Sequence, residues 1–381
     1  MVVRVYLKQA WNLMKQNPLF STLYIVGTGI SIVMTMVIAI VYYVRLAPVY
    51  PETNRMRTLV VKSAKMTNDE STHSSNISYA MLKDWFYSLE SAEVSTGVSG
   101  TSYARVTNDK EEIPTYARYT DENFFRVFPL VFLEGKPFTE ADRRSGIHNV
   151  VLTDSYAQQL FGTTKGVVGK NFLMDYTNVK VVGVVKSGSF LTPDSYAQVY
   201  LPYSCRDGYD DEGSHWALGG YRVYILMKES KSVTDVQDEV LELVRKFNVS
   251  DMGDGWKLDL VGQPELYWHS TFRLWSNVAV DWGRVIWMFV GIFMVLLFVP
   301  AFNLSGMISA RMERQLPDLG IRKAFGASRR RLLVQIIWEN LLLTGLGTLL
   351  GLVIAWIVLA LSGYEIFSLF EVFPKFPPKG V

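Results

Sequence analysis

The chain has 381 residues, 49% of them apolar, with a formal net charge of +2 and a mean hydropathy of +0.14, so it sits between soluble and membrane classes and has room for two domains. Residues 47–284 carry 25 basic and 31 acidic side chains, a mildly acidic block without the clustered basic face that nucleic-acid binding requires. The single cysteine, Cys205, excludes a disulfide framework within the chain and reads as incidental, with intermolecular pairing or a free thiol as the alternative.

Residues 3–16 place Arg4, Lys8, Asn12 and Lys15 on one helical face and Val3, Leu7, Ala10 and Met14 on another. Such a helix would lie on the inner membrane surface with its basic side toward anionic head groups; the alternative is an ordinary extension of the first span. Asn17-Pro18 separates it from Leu19 to Val44, a run with no charged residue. That run exceeds the roughly 7–15-residue core of a signal peptide and no Ala-x-Ala-like site follows, so it is expected to stay in the mature protein as a span of the ~30 Å hydrocarbon core. Gly27 and Gly29 read as close helix packing, and Tyr42, Tyr43 and Arg45 as the far interface, which keeps the amino terminus inside.

From Ala47 to about Asp281 the pattern changes to short strands alternating with modest helices. β-branched and apolar runs predict strands near Thr58–Lys62, Gly100–Thr107, Ile113–Tyr119, Val150–Thr153, Asn178–Val185, Gln198–Pro202, Tyr221–Met227 and Lys257–Val261. Helices are expected at Tyr79–Leu89 capped by Ser78, Glu122–Phe128 after Asp121, Ser155–Phe161 after Asp154 and Val233–Phe247 after Ser232. This is an α+β domain large enough to build its own core. The polar, Gly-rich stretch Arg206–Gly220 is expected to be a mobile loop. Trp256, Tyr267 and Trp268 read as packing, while Trp275 and Trp282, just before the next apolar run, read as interfacial anchors.

A second span is expected from Val285 to Met307, kinked at Pro300. Arg311 to Arg331 then carries seven Arg or Lys against Glu313 and Asp318. A short basic loop between two spans reads as cytoplasmic, and Asp318–Ala327 reads as a short amphipathic helix bounded by Pro317 and the Gly326-Ala327-Ser328 break. The third span, Leu332–Leu361, carries Glu339, read as a structural pairing, and a series Gly345, Gly347 and Gly351. Gly347 and Gly351, four apart on one face, predict the close approach of another helix. The boundaries expected are 1–18 surface helix, 19–46 first span, 47–284 extracytoplasmic domain, 285–309 second span, 310–331 coupling loop, 332–361 third span and 362–381 an extracytoplasmic stretch. Tyr364–Val381 is too short and proline-rich to span again, so either the chain is truncated before a fourth helix or it is an unusual three-span subunit.

Two groups of residues carry a family resemblance. Glu313-Arg314 followed by Asp318-Leu319-Gly320-Ile321-Arg322-Lys323-Ala324-Phe325-Gly326-Ala327 resembles the coupling segment of MacB/FtsX-type ABC permeases, with Pro317 interrupting the run and Asp318 in place of the usual Glu. Pro317 is expected to shift the helix start without abolishing it. In the polar domain, Leu133–Thr139, Asn149–Thr153, Leu160-Phe161-Gly162, Val168-Gly169-Lys170 and Val181–Val185 follow in order the extracytoplasmic core of the same permeases. The resemblance implies a cytosolic ABC ATPase docking on residues 313–327, with ATP and Mg²⁺ on that partner and no cofactor on this chain. It also implies a second permease chain, a homo- or heterodimer in a bacterial inner membrane, a fourth helix, and a periplasmic adaptor or envelope protein as a further partner.

No chemistry competes with that expectation. Gly166-Val167-Val168-Gly169-Lys170-Asn171 lacks Walker A spacing and its hydroxyl. The four histidines have no ligand spacing, Asp210-Asp211-Glu212 reads as a solvated acidic loop, and neither a G-x-S-x-G nor a nucleophile pair occurs. The rival reading is a membrane-anchored receptor or scaffold with an external ligand-binding domain, disfavoured because residues 310–331 are the only substantial cytoplasmic feature.

Overall fold

The computed structural model describes Trp11, Lys15 and residues 18–99, 102–108, 111–189, 192–210, 216–250, 255–325 and 328–368, with backbone only for parts of the long helices. The surface helix expected at 3–16 therefore lies outside the described residues, apart from Trp11 and Lys15. Contacts divide the chain into a unit of long helices and a unit running Val44–Asp281.

In the helical unit α1 runs Pro18–Leu46. The other two long helices of this unit lie beyond the second unit. Within that unit, chain order gives β1 (Thr58–Val61), β2 (Ala64–Thr67), β3 (Thr72–Ile77), α2 (Tyr79–Asp84), β4 (Ala92–Ser99), β5 (Ser102–Asn108), β6 (Glu111–Thr120), α3 (Phe124–Val127) and β7 (Phe132–Gly135). There follow α4 (Glu140–Arg144), β8 (Asn149–Thr153), α5 (Asp154–Phe161), β9 (Asn171–Met174), β10 (Thr177–Val185), β11 (Val199–Pro202), β12 (Leu218–Gly219), β13 (Tyr221–Met227), α6 (Val233–Val249), β14 (Lys257–Asp259) and β15 (Glu265–Leu266).

Two sheets result. The first has the order β14-β2-β3-β13-β1-β15, with β12 on β3 and β4 on β13. In the second, β7-β10-β8-β11-β6-β5-β9, the last strand also pairs with β10, so six strands close into a ring with β7 outside it. Period-2 alternation assigns side chains to separate cores. On β1 and β13, Leu59, Val61, Val223 and Ile225 face α2 and α6, whereas Val60, Tyr224 and Leu226 face the cluster of Phe124, Phe128, Phe138 and Tyr200. Val106, Val150, Leu152, Val181 and Leu201 fill the ring's own core.

Helix starts follow local chemistry. Ser78 Oγ accepts from Met81 N, and Ser232 and Asp235 form a reciprocal capping box on α6. Asp121 Oδ1 accepts from Asn123 N and Phe124 N, which starts α3 later than expected, at Phe124. The strand expected at Gly100–Thr107 is β5, opening at Ser102, whereas β4, which ends at Ser99, precedes it and was not expected.

Arg206–Gly220 is a correction. Trp216 stacks on Phe247 with centroids 5.4 Å apart, Ala217 is buried, and β12 pairs Leu218 with Ile77. Tyr209 stacks on Tyr203, and its carbonyl accepts from Tyr221 OH. Two aromatic side chains, Tyr209 and Trp216, outweigh the glycines and acids that suggested a loop, and residues 211–215 lie outside the described set.

Two more long helices complete the helical unit: α7 runs Trp282–Ala324 and α8 runs Arg329–Ser368. Ser21–Ile40 and Ile336–Val358 are long and apolar enough to cross a bilayer; the apolar start of α7, Trp282–Phe298, is shorter. At ~1.5 Å per residue those 17 residues cover about 26 Å. The expected loop and separate short helix after the second span are corrected, because α7 is one 43-residue helix passing through Pro300 and Pro317. Each proline removes one donor, while Met312, Glu313, Arg314, Gln315 and Leu316 are strong helix formers that carry the backbone between them.

Candidate functional site

α7 ends at Ala324 and α8 begins at Arg329, so most of the candidate coupling segment is the carboxyl end of a long helix. Glu313, Arg314, Asp318, Leu319, Arg322 and Lys323 lie on it with their side chains outside the description, and Gly326 and Ala327 lie outside it altogether. Of the residues described, Leu316 is 59% exposed, Ile321 56% and Phe325 88%, and Gly320 and Ala324 also face open space. Phe325 N donates to Ile321 O at 3.1 Å, so these two apolar side chains stand one helical turn apart on the same face. Leu316 adds an apolar residue that sequence reasoning did not single out, because it precedes Pro317.

Gly347 and Gly351 meet α1. A Cβ on Gly347 would stand 2.7 Å from Thr28 Cβ, and one on Gly351 would stand 2.7 Å from Gly29 O and 2.8 Å from Ile32 Cβ. Only hydrogen at these positions permits that approach. Tyr24 OH and Thr344 Oγ1 share a hydrogen bond of 2.9 Å beside the crossing. Glu339's side chain is outside the description.

The Val44–Asp281 unit contains two buried polar hubs that the sequence did not reveal. Glu52, 1% exposed, accepts from Arg55 Nε at 2.9 Å, Tyr267 OH at 2.8 Å and Ser195 Oγ at 2.8 Å, while Arg55 Nη1 donates to Ala47 O. One carboxylate thus ties the segment leading in from α1, the segment leading out to α7 and the loop before β11. Nearby, burial raises the Asp194 carboxyl, but Lys62 and then Arg222 outweigh it and hold it well below the usual carboxylate range. The second hub is Asp121, whose Oδ1 accepts from Thr96 Oγ1 at 2.6 Å and whose Oδ2 accepts from Tyr87 OH at 2.5 Å and Gly97 N at 2.8 Å. Burial pushes this carboxyl up to about 6 against the pull of those donors. Burial also pushes the Cys205 thiol up to about 12, which removes thiolate reactivity.

Long helices, two of them with stretches long and apolar enough to cross a bilayer, lie before and after an α+β domain along the chain, the arrangement of a membrane protein with a large inserted domain. Residues 20–243 match the MacB-like periplasmic core domain and residues 277–379 the FtsX-like permease C-terminal region. The chain belongs to the MacB/FtsX-type ABC permease family.

Among relatives, the macrolide export ATP-binding/permease protein MacB of Escherichia coli strain K12 is 22% identical over 268 residues, 69% of this chain and 39% of that protein. The pyoverdine export ATP-binding/permease protein PvdT of Pseudomonas entomophila is 25% identical over 237 residues, 61% of this chain and 34% of that one. The chain thus spans well under half the length of these relatives. Among solved structures, the periplasmic region of MacB from Actinobacillus actinomycetemcomitans is 16% identical with a TM-score of 0.38, covering 53% of this chain and 88% of that one. The extracellular domain of the ABC-type transporter YknZ from Gram-positive bacteria gives 17% and 0.38, covering 52% and 99%.

Proposed function

We propose that this chain is the membrane subunit of an ABC machine in which a separate cytosolic ATPase docks on residues 313–327 and moves the Val44–Asp281 domain. In this reading α1, α7 and α8 each cross a bacterial inner membrane, the amino terminus is cytoplasmic, and the domain is periplasmic. ATP and Mg²⁺ belong to the partner, and two permease chains, identical or paralogous, face each other. ATP-driven closure of the ATPase pair tilts the helices, and the outcome is export of a peptide, drug or lipoprotein or control of an envelope process.

The observation that carries the reading is the exposed Ile321–Phe325 face at the end of a 43-residue helix in a chain of this family. An isolated apolar turn is costly in water, and a protein groove that accepts it gives a helix-in-groove contact read by residues one turn apart. Arg322 and Lys323 supply the charged rim. The test is pull-down of the cognate ATPase by wild type and by a chain carrying Leu319→Asp with Phe325→Asp. Retention by wild type and loss by the variant is expected; equal retention sinks the docking proposal.

A further inference from the structure

Between the last strand of the domain and α7 lies a turn whose side chains point to solvent although its backbone is fixed. Arg273 Nε donates to Glu265 Oε1 at 2.7 Å, and both side chains are almost fully buried, at 2% and 7% exposure. The same guanidinium donates to Val278 O at 2.5 Å and to Val261 O at 3.2 Å, so one buried fork closes the turn from inside. Val278 N donates to Trp275 O, and Asn277 Nδ2 donates to Ser74 Oγ on β3 at 3.2 Å. On this frame Leu274 is 70% exposed, Trp275 67% and Val278 50%. A turn held by five hydrogen bonds has no need to show three large apolar side chains to water, and their display calls for a partner.

Chain continuity says which partner. Residues 274–280 carry no charge, and α7 begins at Trp282 with its apolar stretch. Four residues span at most about 14 Å, so the turn cannot lie far from the level at which that helix starts. A tryptophan beside aliphatic side chains and polar Ser276 and Asn277 suits the interfacial layer, where an indole is buried on one side and wet on the other. We propose that the Leu274–Val278 turn is a preformed foot seated in the outer interfacial layer of the phospholipid bilayer, with Leu274, Trp275 and Val278 facing lipid and Arg273, through Glu265, as its positioning residue. The proposal rests on the reading that the apolar helices cross a membrane.

The test uses the full chain in phosphatidylcholine nanodiscs, in a Cys205→Ser background, with one nitroxide label at a time on Ser276→Cys, Lys165→Cys or Ile30→Cys. Power saturation compares collisions with oxygen, which concentrates in lipid, and with a nickel chelate, which stays in water. The foot predicts an oxygen preference at 276 that is weaker than at position 30 and absent at 165. Adding Arg273→Met narrows the spectrum at 276 and abolishes its oxygen preference while the spectrum at 165 is unchanged. Replacing Leu274 and Trp275 by Ser also abolishes the oxygen preference. If 276 reports water while 30 reports lipid, the foot is wrong and the membrane reading stands; if 30 also reports water, the membrane reading itself fails. A label at 276 shielded from both reagents points to a second copy or another protein on the turn and overturns the lipid assignment, as does an Arg273→Met spectrum identical to the parent.

Discussion

Asp121 is buried and receives donors from β4, from Tyr87 and from the backbone at the start of α3, yet its carboxyl is pushed up to about 6. A carboxyl whose folded value lies above its unfolded value of ~3.9 holds its proton longer in the folded state, so its contribution is full below pH ~4 and is lost as pH rises through about 6. The gap corresponds to an upper bound of about 3 kcal/mol. Stability of the periplasmic-core unit should therefore fall across that window in wild type, while Asp121→Asn should flatten the slope and cost about 1–3 kcal/mol at pH 7, because the NH2 end of an amide cannot accept, which leaves either Thr96, Asn123 and Phe124 at one oxygen or Tyr87 and Gly97 at the other without an acceptor. Denaturant titrations at a series of pH values measure both effects. Glu52→Gln should cost about 3–5 kcal/mol by leaving Arg55 buried without its counter-charge, and adding Arg55→Met should recover part of that loss in the same titration. Neither hub was legible in the sequence. Glu52, Ser195 and Tyr267 are scattered along the chain, and a lone acid carries no signal that the fold will surround it with donors. Ser78 and Ser232 were legible as caps because a cap acts within three residues.

Elements with a local cause were read well, and those made by tertiary context were missed. β13 was expected with the ends it has, since Tyr221–Met227 is apolar throughout except for Arg222. β4 was missed because Ala92–Ser99 is rich in Ser and Gly, although nearly all of it is buried between cores. β3, β7 and β9 were missed for the converse reason: β3 is largely exposed, β7 is a short edge, and β9 is short and set by its pairing with β5 and β10. In α7 the boundary at Pro317 was read too strongly, since one missing hydrogen bond did not outweigh a strong helical context there. The Gly347–Gly351 face, read from a four-residue spacing, meets Gly29 and Thr28 of α1. A Gly351→Leu substitution is expected to force the helices apart at a cost of about 1–3 kcal/mol, whereas Tyr24→Phe, which loses the bond to Thr344, should cost only about 0.6 kcal/mol. Thermal unfolding in mild detergent separates the two; equal shifts would show that the crossing is not sterically limited.

At the scale of the molecule, the family was legible because two motifs far apart in sequence, residues 313–327 and the Leu133–Val185 series, agreed. The domain's lead-in and lead-out segments share one buried carboxylate, Glu52, with the loop before β11. What distinguishes a transmitting permease from an anchored receptor is whether an ATPase acts through the end of α7. The most direct measurement is affinity purification of the full-length natural protein in mild detergent, with bound partners identified by mass spectrometry and ATP turnover assayed on the recovered complex. The account predicts a P-loop ATPase whose recovery and vanadate-sensitive turnover are lost with Leu319→Asp plus Phe325→Asp. Recovery of the permease alone, with residues 313–327 intact and no ATPase bound, would contradict it and favour the receptor or scaffold.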